Sequence, residues 1–273
     1  MLPYPSIDPV LLSLGPLHIR WYGLMYVIGF LAAYQLVLYQ AKKFKWQPMV
    51  QHLDNLHLTL IAGIILGGRL GYVLFYNPAY YLTHPGEAVA IWSGGMSFHG
   101  GCLGAFAAGL LYCRHAQLDF WKAADLFVVT VPIGLFFGRV GNFINGELFG
   151  RITQVPWGMI FPEGGPLPRH PSQLYEALLE GVLLFLILWS LKAKPWLPRA
   201  EHWPHGSMLA LFLGLYGCFR FIVEFVREPD PQIGLIGSLL TMGQILCLLM
   251  MAAGAILWHH RHSILKQTRH NQR

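Results

Sequence analysis

"GRVGNFINGELFG", residues 138–150, continues directly from "DLFVVTVPIGLFF", residues 125–137. The upstream run has the character of a hydrocarbon-buried segment. Its continuation then places Arg139, Asn142, Asn145 and Glu147 within nine residues. Each of those groups is costly away from water unless something pairs with it. The stretch therefore predicts a transmembrane helix whose end carries polar groups that other segments must complete.

Composition agrees with a lipid solvent. Of 273 residues, 55% are hydrophobic and 12% are charged, with a mean hydropathy of +0.46. Soluble globular domains carry about 25% charged residues, so the usual polar coat is halved. The formal charge of +6 is not gathered into one basic patch, so no nucleic-acid partner is expected. Cys102, Cys113, Cys218 and Cys247 lie far apart and form no CxxC pair. That excludes a disulfide scaffold and a zinc site, and no metal or organic cofactor is expected. Residues 1–20 hold Pro3, Pro5, Pro9 and Pro16, and the first positive charge is Arg20. A cleavable signal peptide needs a basic start and an unbroken apolar run, so the first membrane helix is expected to be retained.

A membrane-crossing helix needs about 20 apolar residues. Seven segments qualify: 20–40, 57–76, 95–113, 123–142, 172–191, 206–226 and 236–258. The expectation is an all-α polytopic membrane protein forming one domain, residues 1–273. Basic residues set its orientation. The segments after spans one, three, five and seven hold twelve, including Lys42, Lys43, Lys45, Lys194, Arg199 and Arg273, whereas the opposite side holds only Arg20, Arg151, Arg169 and Arg227. By the positive-inside rule the N-terminus is outside and the C-terminus cytoplasmic. The outer loop 143–171, rich in Gly and Pro and containing Trp157, reads as a partly structured cap.

Three basic residues remain, Arg69, Arg139 and Arg220, and all fall inside predicted spans. At 1.5 Å per residue, Arg139 lies about 5 Å from the outer end of its span, and Arg69 and Arg220 about 9–11 Å from theirs. His99, in "GGMSFHGGCLG", opens span three; Tyr22 opens span one; Glu147 just follows span four. These six residues share the outer half of the bilayer. An intramembrane arginine costs about 2.5–3.5 kcal/mol on insertion scales. Glu147 and Glu224 are the expected partners, Glu224 standing at i+4 from Arg220. Two carboxylates against three guanidiniums leave room for an external anion, and at that depth a phospholipid phosphate suits the arginine fork.

Several of these residues have a second reading. Arg69, in "GGRLGY", is equally consistent with a structural pairing to a carbonyl or carboxylate. Arg139 alone could be a snorkelling anchor, though two Asn and a Glu follow it. His99 could be a hydrogen-bonded core residue, but glycines at 94, 95, 100 and 101 allow a ligand or backbone to come close. Tyr22 beside Trp21 also fits an aromatic belt. Glu176 and Glu180 read either as a functional pair or as polar-face packing. His259, His260 and His262 read as a solvated basic tail. A lipid or ion transporter is the competing function, yet its charges should lie near the midplane, often on repeated halves, and no repeat is visible. An intramembrane protease would need more than Ser97 and His99, two residues apart on one segment.

"GRVGNFINGELFG" resembles the signature of the prolipoprotein diacylglyceryl transferase family at Gly138, Arg139, Gly141, Asn142, Phe143, Asn145, Glu147 and Gly150. "IRWYG", "GGRLGYVLFY", "GGMSFHGG", "RHPSQLYEALLEG" and "FRFIVEFVREPD" are similar to the family's other blocks, in the same order. Arg20 stands where the family's pattern has His, and the loop between Arg151 and Arg169 is short for the family. The resemblance implies transfer of an sn-1,2-diacylglyceryl group from phosphatidylglycerol to the lipobox cysteine of a prolipoprotein signal peptide. It places the chain in a bacterial inner membrane, with its site facing the outer leaflet and periplasm. It lends importance to Tyr22, His99, Arg139, Asn142, Asn145, Glu147, Gly150, Arg220 and Glu224. In that scheme His99 acts as general base, and Arg139 and Arg220 hold the phosphate, with Arg69 also at the lipid site. Asn142 donates to the lipid, and Glu147 orients Arg139.

Overall fold

The computed structural model describes residues 2–5, 7–15, 17–76, 78–198, 202–228, 235–236 and 240–270. Arg199 and Arg273 of the charge count, Pro16, Pro229 and Asp230 of the quoted motifs, and residues 237–239 of the last predicted span lie outside the described residues.

Helices dominate. They are α1 (Trp21–Lys43), α2 (Gln47–Phe75), α3 (Pro78–Thr83), α4 (Phe98–His115), α5 (Phe120–Val128), α6 (Val131–Asn145), α7 (Ser172–Glu176), α8 (Leu184–Leu191), α9 (Ser207–Glu224) and α10 (Met242–His270). Two small hairpins, absent from the sequence expectation, accompany them. One pairs β1 (Val10–Leu14) with β2 (Leu17–Arg20), the other β3 (Leu235–Ile236) with β4 (Leu240–Thr241). Five helical segments are long and apolar enough to cross a membrane: Trp21–Lys43, Gln47–Phe75, Ser172–Trp196, Ser207–Glu224 and Met242–Gln267.

Predicted span four is a broken helix. α5 and α6 meet at a 40° bend and, taken together as one span, are long and apolar enough to count as a sixth candidate crossing. Pro132 in the first turn of α6 lacks the N–H that a continuous helix would use. Thr130 instead turns its hydroxyl back onto the Phe127 carbonyl at 2.7 Å. α4, predicted span three, is not among the segments that qualify. Its 18 residues include Gly100, Gly101, Gly104 and Gly109 and end in Arg114 and His115.

The chain divides into two compact units, residues 38–123 and residues 1–37 with 124–273. In the first, α2 and α4 touch backbone to backbone. Gly63, Gly67 and Gly71 face Gly100 and Gly104, where any Cβ would collide with the opposite main chain. Polar loops close this pair: Arg69, 5% exposed, donates to the carbonyls of Glu87, Ala88, Gly94 and Gly95 at 2.6–3.1 Å.

In the second unit a core of Val128, Val129, Leu184, Leu188, Met208 and Tyr216 gathers α5, α8 and α9. Buried Asp125 caps α9, accepting from the backbone N–H groups of Gly206, Met208 and Leu209 at 2.8–3.3 Å. This satisfies donors that a helix start leaves without partners.

Candidate active site

The C-terminal end of α6 is shaped by its own sequence. Gly146 adopts the left-handed conformation, φ +70°, that ends a helix and that a side chain resists. The chain then folds back, so that Glu147 accepts from Asn142 Nδ2 at 2.8 Å and from Asn145 Nδ2 at 3.1 Å. Tyr4 donates to the Phe143 and Ile144 carbonyls at 2.6 and 3.0 Å, satisfying the last turn of α6. Burial pushes the Tyr4 hydroxyl above its ordinary value. Tyr22 lies against Gly141, where an added Cβ would come within 2.9 Å of its ring. Its hydroxyl meets that of Tyr26 at 3.0 Å, and Asn142 and Glu147 are close enough to act on it.

The pairing of the arginines differs from the expectation. Among the described residues no ion pair joins Glu147 to an arginine; Glu147 reaches Arg139 only through Asn142, whose Oδ1 accepts from Arg139 Nη1 at 3.4 Å. The carboxylate that Arg139 meets is Glu176, with Nε 2.5 Å from Oε2. Glu176 also accepts from Arg220 at 2.8 Å and from Arg227 at 2.9 Å. Glu180 lies 3.8 Å from Arg139 and 3.7 Å from Arg220. Glu224 pairs with Arg220 at 2.9 Å, as its i+4 spacing predicts, and accepts from the Thr241 hydroxyl at 3.0 Å. The count of two carboxylates against three guanidiniums is therefore corrected. Arg139, Arg220 and Arg227 face Glu176, Glu180 and Glu224, and the cluster balances to zero.

Local sequence explains how one helix carries two of those acids inward. Between α7 and α8, Ala177–Leu183 is π-helical, a wide turn frequently found at functional sites. Glu176 and Glu180, both 0% exposed, stay on the face that meets α6 and α9. Gly181 lets α6 approach, since a Cβ there would stand 2.7 Å from the Phe136 Cβ. The three arginine side chains keep 14–17% exposure. The guanidiniums are thus anchored on Glu176 while their side chains are not fully enclosed. A planar guanidinium held in this way can grip an anion with its remaining N–H groups.

Gly150 holds the segment between α6 and α7 to this cluster through backbone. It donates to the His170 carbonyl at 2.8 Å and pairs in an antiparallel bridge with Arg227. A side chain at 150 would strike the Val226 carbonyl. His170 meets Tyr175 at 3.2 Å, and partial burial holds its imidazole below the ordinary histidine value. Arg169 ties the cap internally, donating to the Gly164 and Gly150 carbonyls and to Glu228.

Tyr22, Arg139, Asn142, Asn145, Glu147, Gly150, Arg220 and Glu224 thus fall in one unit, whereas Arg69 and His99 belong to the other. His99 is exposed in the first turn of α4, its ring against Phe98. The neighbouring Ser97 is occupied as the α4 N-cap, accepting from Gly100 N at 3.2 Å, which removes it as a nucleophile for a protease reading. Sequence reasoning missed Arg227, which it counted with the outer-loop charges, and Tyr4. The signal for Arg227 was its seven-residue spacing from Arg220, two turns along one face. No signal marked Tyr4. Cys102 is exposed on α4, while Cys113 and Cys247 are buried.

Comparison with known proteins supplies a family. Residues 9–260 match the prolipoprotein diacylglyceryl transferase family. A protein of Desulfotalea psychrophila, named phosphatidylglycerol–prolipoprotein diacylglyceryl transferase, is 57% identical over 257 residues, covering 94% of each chain. Proteins with the same name from Geobacter sulfurreducens and Vibrio vulnificus are 51% and 52% identical, covering 93% and 94% of this chain and 95% and 92% of theirs. With the signature residues of α6, the acidic turn after α7 and the end of α9 drawn into one cluster, and with identity above half along nearly the whole length, the chain belongs to the prolipoprotein diacylglyceryl transferase family.

Proposed function

We propose that this transferase moves the sn-1,2-diacylglyceryl group of phosphatidylglycerol onto the lipobox cysteine thiol of a prolipoprotein signal peptide. The thiol sulfur attacks the glyceryl carbon that bears the phosphate. A thioether S–C bond forms, the C–O bond to phosphate breaks, and glycerol phosphate leaves with the electron pair. This is the first step of bacterial lipoprotein maturation. The observation that carries the reading is the cluster of Arg139, Arg220 and Arg227, anchored on Glu176 with side chains not fully enclosed.

Each residue takes a role that its surroundings support. Arg139 and Arg220 hold the phosphate and stabilise the charge that grows on it as the bond breaks. Asn142 donates to the headgroup or an ester oxygen; Asn145 and Glu147 fix its amide; Tyr22 packs the first helix against it. Glu224 orients Arg220, and Gly150 keeps Arg227 in place. A thiol of pKa about 8.5 must lose its proton to attack, and the imidazole of His99 is the proposed base. Arg69 is assigned to shaping the loop that precedes α4, with any contact to the lipid secondary.

The wider frame is part of the proposal. The chain forms one membrane domain, residues 1–273, with seven crossings when α4 is counted beside the six. Its N-terminus is outside, its C-terminus is cytoplasmic, and 143–171 forms a periplasmic cap. It resides in the inner membrane with its site open to the outer leaflet, where both membrane-bound substrates meet it. The supporting observations are the excess of basic residues on one set of loops and the depth of the arginines.

The test is mass spectrometry of a lipobox peptide incubated with the enzyme and phosphatidylglycerol. The expected product is the peptide plus one diacylglyceryl group, with one equivalent of glycerol phosphate released. Peptide cleavage would support a protease, and an unchanged peptide with lipid moved between leaflets would support a transporter.

A further inference from the structure

The cluster is neutral before any substrate arrives. Three guanidiniums face three carboxylates, and all six side chains are at most 17% exposed. A phosphodiester brought among them adds one negative charge to a site with little water to screen it. Leaving that charge uncompensated in so dry a setting is costly. The cluster must therefore shed an anion or gain a proton.

The carboxylates are not equal candidates for that proton. Glu176 is held by Arg139, Arg220 and Arg227 at hydrogen-bond distance. Glu224 has Arg220 at 2.9 Å and the Thr241 hydroxyl at 3.0 Å. Glu180 is 0% exposed, neither of its oxygens accepts a hydrogen bond among the described residues, and its two arginines stand back at 3.7–3.8 Å. The groups that act on it are Glu176 on its own helix, Arg139 on α6, Arg220 and Tyr216 on α9, Arg227 just beyond α9, and Cys247 on α10. Its charge is supported by Coulomb attraction alone, chiefly from Arg139 and Arg220 with Arg227 farther off, and the first two are the arginines whose field a phosphate would consume.

We propose that binding of the anionic phospholipid is coupled to uptake of one proton by Glu180, so that the cluster stays neutral with the lipid in place and the proton is given up again when the phosphate leaves. Glu180 is on this view a positioning residue. It releases Arg139 and Arg220 to the substrate without opening the site to water. The inference rests on the proposed function above for the identity of the anion, and it commits the site to ligands carrying a single negative charge.

The test is isothermal titration of the full-length enzyme in detergent with dihexanoyl phosphatidylglycerol, in buffers of differing ionisation enthalpy, between pH 6 and pH 9. Dihexanoyl phosphatidylcholine, zwitterionic with zero net charge, is the control. Expected for the parent is net uptake approaching one proton per lipid at the alkaline end. The affinity there should weaken by up to about tenfold per pH unit, the slope that linkage gives for one proton. Glu180→Gln, which supplies a permanently neutral group of the same shape, should bind with no proton uptake and with an affinity flat across the range. Proton uptake retained in Glu180→Gln, or parent binding with no uptake at any pH, would overturn the proposal; the second readout needs only the parent, so a variant that misfolds does not shelter it. Failure of the parent to bind the lipid at all strikes the proposed function instead.

Discussion

Asn142 Nδ2 donates to Glu147 Oε1 over 2.8 Å, and the bond bridges the left-handed turn at Gly146. The other face of the same amide accepts from Arg139. One side chain therefore relays the position of a carboxylate to a guanidinium. Glu147→Gln replaces one acceptor oxygen with a second amide donor facing Asn142 and Asn145. Transfer to a lipobox peptide should slow about tenfold, some 1.4 kcal/mol of barrier. Parental initial rates in that variant would reduce the bond to a helix stop.

Arg139→Lys keeps the charge and loses the planar fork that meets Glu176 on one side and leaves donors on the other. Activity should fall at least tenfold, about 1.4 kcal/mol, and saturating lipid should not restore it. Steady-state kinetics separates the cases. A parental kcat with a raised KM would mean that Arg139 serves binding alone, and no change in either would make it an anchor.

His99→Ala should lose most turnover while phosphatidylglycerol still binds. Raising the pH from 7 towards 9 supplies thiolate from solvent, because the peptide thiol ordinarily titrates near pH 8.5, and should recover part of the rate. A pH–rate profile of the variant measures this. Lost lipid binding in His99→Ala would move the residue to the headgroup site and leave the base to another group.

Arg69→Ala should act on stability and not on chemistry. Four carbonyls lose a charged donor at once, and a cost of about 3 kcal/mol follows from the usual range for such bonds. The expected result is a lowered thermal midpoint with near-parental activity per folded molecule, read by thermal unfolding in detergent beside the transfer assay. Undiminished stability with abolished transfer would place Arg69 at the lipid.

Orientation is open to direct chemistry. In a chain freed of its four native cysteines, Gln154→Cys in the cap and Lys194→Cys beyond α8 should react with an impermeant thiol reagent from opposite sides of the membrane. Labelling of both from one side would refute the proposed topology.

Much of the architecture was legible in the residues because a bilayer makes strong demands on sequence. Apolar length placed α1, α2, α7–α8, α9 and α10 to within a few residues, apart from the start of α2 and both ends of α10. The break between α5 and α6 escaped notice, since Pro132 sits in an otherwise unbroken apolar run. α2 began ten residues early, at Gln47, because Gln51, His52, Asp54 and Asn55 are polar yet helical. The Arg220–Glu224 pair could be read from spacing. What could not be read was which acid would serve which arginine across helices. Glu147 is nearer Arg139 in sequence, but the helix ends between them and sends Glu147 back to the asparagines. Glu176, distant in sequence, arrives on the facing helix.

The neutral cluster also bears on the birth of the protein. Arg139 is synthesised before either of its carboxylates, Glu176 and Glu180, so α6 enters the bilayer as an unaccompanied cation. A span in that state sits about 2.5–3.5 kcal/mol uphill on insertion scales. Arg220 arrives later and finds both acids waiting. Early arrest of translation, before residue 172, would strand α6 with a lone buried guanidinium, a fragment that quality-control proteases of the membrane are equipped to extract. The same charges proposed to hold a phosphate in the finished enzyme thereby make completion of the chain a condition for neutralising α6.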